Sequence, residues 1–227
     1  MDPLHNMPQL ITAVGGLGTA AFGLVDSTKA FWGGINRVGF KRISKRVCLL
    51  MPGSSNATNA LTQTEAVNTL RGNWYNGTPL ADQKSIAKSL IKLNVRAENA
   101  VAVAKATNLN PEMFVEVIAK QSRSIGLTPD EGDLYARFDF VVTAMLDEVY
   151  QLADHAYVNA ARALAFVFAV GLSLMGWQVL KHGTPSVDVG FWTAAIIGVV
   201  ATPLAPIAKD LSSALSTAVN ALQAVKK

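Results

Sequence analysis

Three long stretches of this chain carry no charge, and the sequence between them repeats its apolar residues at helical spacing. The strongest stretch is 161–180, ARALAFVFAVGLSLMGWQVL, in which no charged side chain falls between Arg162 and Lys181. Its eighteen uncharged residues, read as a helix rising 1.5 Å per residue, cover about 27 Å, close to the roughly 30 Å of a hydrocarbon core. Trp177 sits near one end, where an amphipathic ring prefers the bilayer interface. The second stretch, 189–208, is also uncharged and opens with Phe191 and Trp192. The short connection 181–188 contains Gly183 and Pro185, so 161–208 reads as an antiparallel transmembrane hairpin. The third, 8–25, is less apolar and rich in glycine. The first ten residues hold no Lys or Arg, which a secretory leader would carry, so 1–34 is expected to contain a retained transmembrane helix.

Residues 57–160 read as α-helices. Thr62 and Glu65 form a capping-box pattern before a helix reaching about Leu70. Thr78 and Pro79 start a second helix ending near Leu93, and Asn94 is placed to cap the next. Asn110 with Pro111 starts another, which Gly126 should stop. Thr128, Pro129, Asp130 and Glu131 give the clearest start signal. No proline follows before Lys181, so one helix is expected to run from Pro129 through 161–180 as a long stalk. Leu134, Phe138, Val141, Val142, Met145, Val149 and Tyr150 give that stalk an apolar face. No period-two alternation predicts a strand.

Composition agrees with a chain partly solvated by lipid. Half the residues are hydrophobic, mean hydropathy is +0.27, and 16% are charged against about 25% in ordinary soluble domains. One cysteine, Cys48, excludes a disulfide scaffold. The net charge of +4 is unevenly distributed. Arg37, Lys41, Arg42, Lys45 and Arg46 form a run without acid, whereas 47–160 is net acidic. Such a run beside a membrane helix is expected to anchor on the cytoplasmic leaflet. The absence of a broad basic face with stacking aromatics argues against nucleic acid as a partner. With the basic run inside, the N-terminus lies outside, 47–160 is cytoplasmic, and the hairpin crosses out and back. The basic juxtamembrane segment and linker span 35–56, and GSSNATNA, 53–60, is the linker candidate that separates the first membrane helix and its basic tail from the helical domain that begins at 57.

Candidate chemistry is sparse. His5, His155 and His182 are far apart, neither a Walker loop nor HExxH is present, and Asp147, Gln151, Asp154 and His155 lack a second motif to complete a metal site. No catalytic, cofactor-binding or metal-binding residues are assigned, and no enzyme activity is expected. Two features carry information. Gly15, Thr19, Gly23 and Ser27 recur every four residues, beside a second row of Thr12, Gly16 and Ala20. Small side chains at that spacing let helices approach closely in lipid, so Gly15, Gly16, Thr19, Ala20 and Gly23 are the expected oligomer-packing residues. Pro203 and Pro206 interrupt the membrane stretch 189–208 and predict a kink, which in a pore would be a gate. The tail 209–227 reads as an amphipathic helix.

Together these readings predict an all-α membrane protein with three transmembrane helices, a helical cytoplasmic domain and a stalk helix continuous with the second transmembrane helix. The expected function is a homo-oligomeric assembly in the plasma (inner) membrane, in one form a pore or channel. The alternatives are a non-catalytic accessory subunit of a larger membrane complex and, third, a membrane-bound enzyme. The partners are the lipid bilayer, copies of the chain and, in the second reading, other membrane-complex subunits.

Overall fold

A computed structural model describes residues 7–29, 33–53, 61–183 and 190–203. Every element among them is helical: α1 (Met7–Thr28), α2 (Asn36–Leu50), α3 (Gln63–Tyr75), α4 (Leu80–Asn94), α5 (Ala100–Ala106), α6 (Pro111–Ser122), α7 (Pro129–Gly183) and α8 (Phe191–Pro203). The chain divides into two compact units, one formed by Met1–Ile35 with Val158–Lys227, the other by Asn36–Tyr157, and α7 contributes to both. Pro206, the tail 209–227 and most of the linker 53–60 lie outside the described residues.

Local capping sets three of the helix starts as the sequence predicts. At α3 the Thr62 hydroxyl accepts from the Glu65 amide, and the Thr62 amide donates back to the Glu65 carboxylate at 2.9 Å. At α6 the Asn110 side chain accepts from the amides of Glu112 and Met113. At α7 the Thr128 amide donates to Glu131 at 2.9 Å, and Glu131 also accepts from Lys120, so this cap ties α6 to α7. Both interactions favour the charged carboxylate, and they hold the Glu131 carboxyl below its usual range, Lys120 being the larger influence.

Elsewhere tertiary contacts override the local signals. Helix α4 begins one residue later than Thr78–Pro79 predicts, because the Thr78 carbonyl accepts the Gln83 side chain at 2.6 Å and its hydroxyl turns to Asn73. Asn94 ends α4, donating its side-chain amide to Leu61, and Asn99 stands at the start of α5. Helix α6 stops at Ser122, ahead of Gly126. Ser124 takes the left-handed conformation there (φ 57°), and the Ile125 amide closes back on the Lys120 carbonyl at 2.9 Å.

The basic run forms α2, which belongs to the compact unit Asn36–Tyr157. Phe40, Ile43, Val47 and Leu50, spaced at helical period on its apolar face, are buried with Leu70 and Trp74 of α3, Ile91 of α4, Phe114 of α6 and Phe138, Val142, Leu146 and Tyr150 of α7. Gly39 lets α2 come close. A Cβ there would stand 2.6 Å from the Trp74 ring and 2.7 Å from the Ala153 carbonyl oxygen. The Trp74 indole N–H donates to the Asn36 carbonyl at 2.9 Å, so this buried ring keeps its polar edge satisfied.

Ion pairs line the rim of that core. Lys84, Lys88 and Lys92, one helical turn apart on α4, meet Asp147 and Asp139 of α7. The numbers run in opposite directions, so the two helices are antiparallel along this contact. Asp139 receives Lys88 at 2.6 Å and Lys92 at 3.0 Å, and the Lys88 hydrogen bond is the main reason its carboxyl titrates below the usual range.

Two predictions follow from this packing. Gly39→Ala should destabilise the protein by about 1–3 kcal/mol through overpacking, read as a lowered thermal midpoint and an altered Trp74 emission. An unchanged midpoint would contradict the close approach. For Asp139, the folded carboxyl is the stronger acid, so its contribution is present above the unfolded value of about 3.9 and is lost as pH falls through the lower folded value. Asp139→Asn should therefore cost about 1 kcal/mol at neutral pH, the pairs being partly solvent-screened, and flatten the loss of stability below about pH 4.

Candidate functional site

Among the described residues, no three His, Cys, Asp or Glu side chains converge as metal ligands would. In the polar stretch of α7, Asp147 pairs with Lys84 at 2.6 Å and Glu148 with Arg46 at 3.1 Å, whereas Gln151 and His155 are exposed. The features that stand out are an exposed apolar face, a close helix contact and two outward rows of side chains.

The first is apolar. One described helix, α7, is long and apolar enough to cross a bilayer. Its best 18-residue window has a mean hydropathy of 1.9, and only 17% of it is buried by the rest of the chain. Phe166, Val167, Met175, Val179 and Leu180 stand exposed, as do Phe191, Trp192, Ile196, Val199 and Val200 on α8. At the end of α7, Trp177 meets Phe191 edge-to-face at 5.6 Å, Phe191 meets Trp192 at 5.5 Å, and the Lys181 ammonium lies 5.2 Å from the Trp177 ring centre. Aromatic rings with a lysine at the end of an apolar helix match the chemistry of a membrane–water interface.

The second is the contact that joins α1, α7 and α8. Side chains of little bulk form its centre, where Ala21 of α1, Ala169 of α7 and Ala201 of α8 are fully buried with Val14 beside them, and Leu17, Phe168 and Ile197 pack around that centre. Gly198 sits where a Cβ would be 2.6 Å from the Val170 Cα and 2.9 Å from the Ala169 carbonyl oxygen. Beside it, the Ser173 hydroxyl donates to the Ala194 carbonyl at 2.6 Å, a hydrogen bond from one helix to another. Close approach plus a polar bond is how helices associate where lipid replaces water. Sequence reasoning passed over Ala194, Gly198 and Ala201, although their own spacing of four and three residues marked them; the hydropathy of the segment masked it.

The rows expected on α1 divide between two faces. Gly15 is buried, whereas Gly16, Thr19, Ala20 and Gly23 are exposed. A Cβ at Gly16 or Gly23 would meet nothing within 4 Å. The Thr19 hydroxyl bonds within its own helix, to the Gly15 carbonyl at 3.0 Å. Helix α1 thus turns Val14, Ala21 and Val25 inward and leaves a flat row of small residues outward.

The basic run also divides. Arg37, Lys41, Arg42 and Lys45 point outward, while Arg46 is half-buried and paired with Glu148. Pro203 is exposed at the last described position of α8. Compared with protein-family models, curated proteins and solved structures, the chain has no match.

The tight α7–α8 contact makes a prediction. Gly198→Ala should lower thermal stability in detergent by about 1–3 kcal/mol. Gly171→Ala on α7, where a Cβ meets nothing within 4 Å, should change it by about 0.5 kcal/mol or less. Equal effects would mean that Gly198 is not at a crossing point.

Proposed function

We propose that this chain is an integral membrane protein that assembles with copies of itself, carrying the helical unit Asn36–Tyr157 on the cytoplasmic side of a plasma (inner) membrane. In this reading α1, the apolar part of α7 and the segment containing α8 are its three membrane helices, and the protein acts by binding and assembly, without catalysis. The observation that carries the reading is the uncovered apolar window of α7, 17% buried at a mean hydropathy of 1.9. A core helix of a water-soluble protein hides such a surface inside the fold, and a leader sequence would lie near the N-terminus. This window does neither, and lipid is the solvent that suits it. Self-assembly is supported by the outward row Gly16, Ala20 and Gly23, which no packing among the described residues uses.

Carbonate extraction of membranes should leave the protein in the pellet, and release into the supernatant as a single soluble chain would overturn the membrane reading. In nanodiscs its mass should be a multiple of 24.1 kDa. Gly16→Leu and Gly23→Leu should raise the dissociation constant of that assembly by about tenfold or more, as overpacked contacts do. They should leave the fold intact, because among the described residues a Cβ at either position meets nothing within 4 Å. Unchanged assembly in both variants would remove the α1 face from the interface. A single chain of unaltered fold would favour the accessory-subunit reading, in which this face takes a helix of another protein. Ion flux into liposomes from a closed ring, and none from the Leu variants, would make the assembly a pore.

A further inference from the structure

The outward side of α2 is more specific than a cluster of positive charge. Arg37, Lys41 and Lys45 follow one another every four residues, and Arg42 lies beside them, so all four cations share one side of a fifteen-residue helix. Val38 and Leu49 lie on the same side, 46% and 53% exposed, in an element whose other apolar side chains serve the core. Among the described residues no carboxylate pairs with any of the four cations, whereas the fifth, Arg46, is held by Glu148. The helix is also fixed in place by Phe40, Ile43, Val47 and Leu50 on its buried side, so the stripe is presented without an ordering cost.

We propose that this stripe of α2, formed by Arg37, Val38, Lys41, Arg42, Lys45 and Leu49, is a binding surface for anionic phospholipid headgroups. Lysine and arginine supply the attraction to the phosphates, and the two aliphatic side chains enter the boundary of the acyl region, the division of labour of an interfacial helix. The inference rests on the membrane reading above, and α2 follows α1 after seven residues, so a bilayer that holds α1 is within about 30 Å of chain. A nucleic-acid groove would offer aromatic rings for stacking among the cations, and this side of α2 offers none. Within the unit Asn36–Tyr157 the cationic run is confined to this one helix, since 47–160 is net acidic.

The test uses the full chain with Cys48→Ser and a single environment-sensitive fluorophore on Val38→Cys, reconstituted in nanodiscs of phosphatidylcholine with or without phosphatidylglycerol. Emission should shift to the blue in the anionic discs, and the shift should vanish in about 1 M salt, where the screening length falls to about 3 Å. Replacing Arg37, Lys41, Arg42 and Lys45 with Gln should abolish the shift at unchanged helicity, and Arg46→Gln should retain it. Identical spectra in the two lipids, or a shift that survives the fourfold change, would overturn the proposal. A shift produced in neutral discs by a duplex oligonucleotide or an acidic protein, and not by phosphatidylglycerol, would reassign the stripe to that partner and overturn it as well. Carbonate extraction separates the two levels: a chain that resists extraction but ignores lipid charge loses only this inference, and one that is extracted loses the membrane reading.

Discussion

One helix whose surface changes character along its length dominates this protein. Helix α7 runs from Pro129 to Gly183 with its hydrogen-bond ladder uninterrupted by proline, yet the character of its side chains changes along the way. Up to Tyr157 it follows the rule of an amphipathic helix in water. Phe138, Val142, Leu146 and Tyr150 are buried, and Asp139, Asp147 and Glu148 reach cations on neighbouring helices. Beyond Arg162 the polar side disappears, and Phe166, Val167, Met175 and Val179 are left uncovered. Both halves satisfy their backbone groups internally, the condition a chain must meet to leave water for lipid.

The two compact units are accordingly held together by different physics. In Asn36–Tyr157, bulky side chains interlock, as at the Phe114–Phe138 contact with ring centres 4.9 Å apart, and ion pairs close the edges. The hydrophobic effect drives such a core. The other unit has Ala21, Ala169, Gly198 and Ala201 at the centre of its contact, residues with little apolar area to bury, with Leu17, Phe168 and Ile197 around them. Contacts of this kind gain from close backbone approach and from a bond such as Ser173 to Ala194, and they are effective where no hydrophobic force acts between helices. The way each unit packs thus agrees with the solvent the proposed function gives it.

Glu131, Asp139, Asp147 and Glu148 of α7 are engaged by lysine and arginine, and the exposed features among the described residues are an apolar side of α7 and α8, a flat row on α1 and a cationic stripe on α2. The single membrane-compatible helix among the described residues and the all-α fold are what the structure establishes, and assembly and lipid selectivity are the reading built on them.

Much of this was legible along the chain because it depends on near neighbours. The capping residues Thr62, Asn110 and Thr128 act within three residues of themselves, and a helix the length of α7 needs only the absence of a breaker. The helices, the lack of strands among the described residues and the uncharged window therefore follow from local pattern. Which side of each helix meets what does not. Gly39 looks like a weak point in a charged segment until Trp74 is seen against it, and Arg46 looks like Lys45 until Glu148 is found beside it. Gly15 and Gly16 are adjacent and chemically identical, but one is covered and the other is open. Such choices are made by residues dozens of positions away, and only packing in three dimensions brings them together.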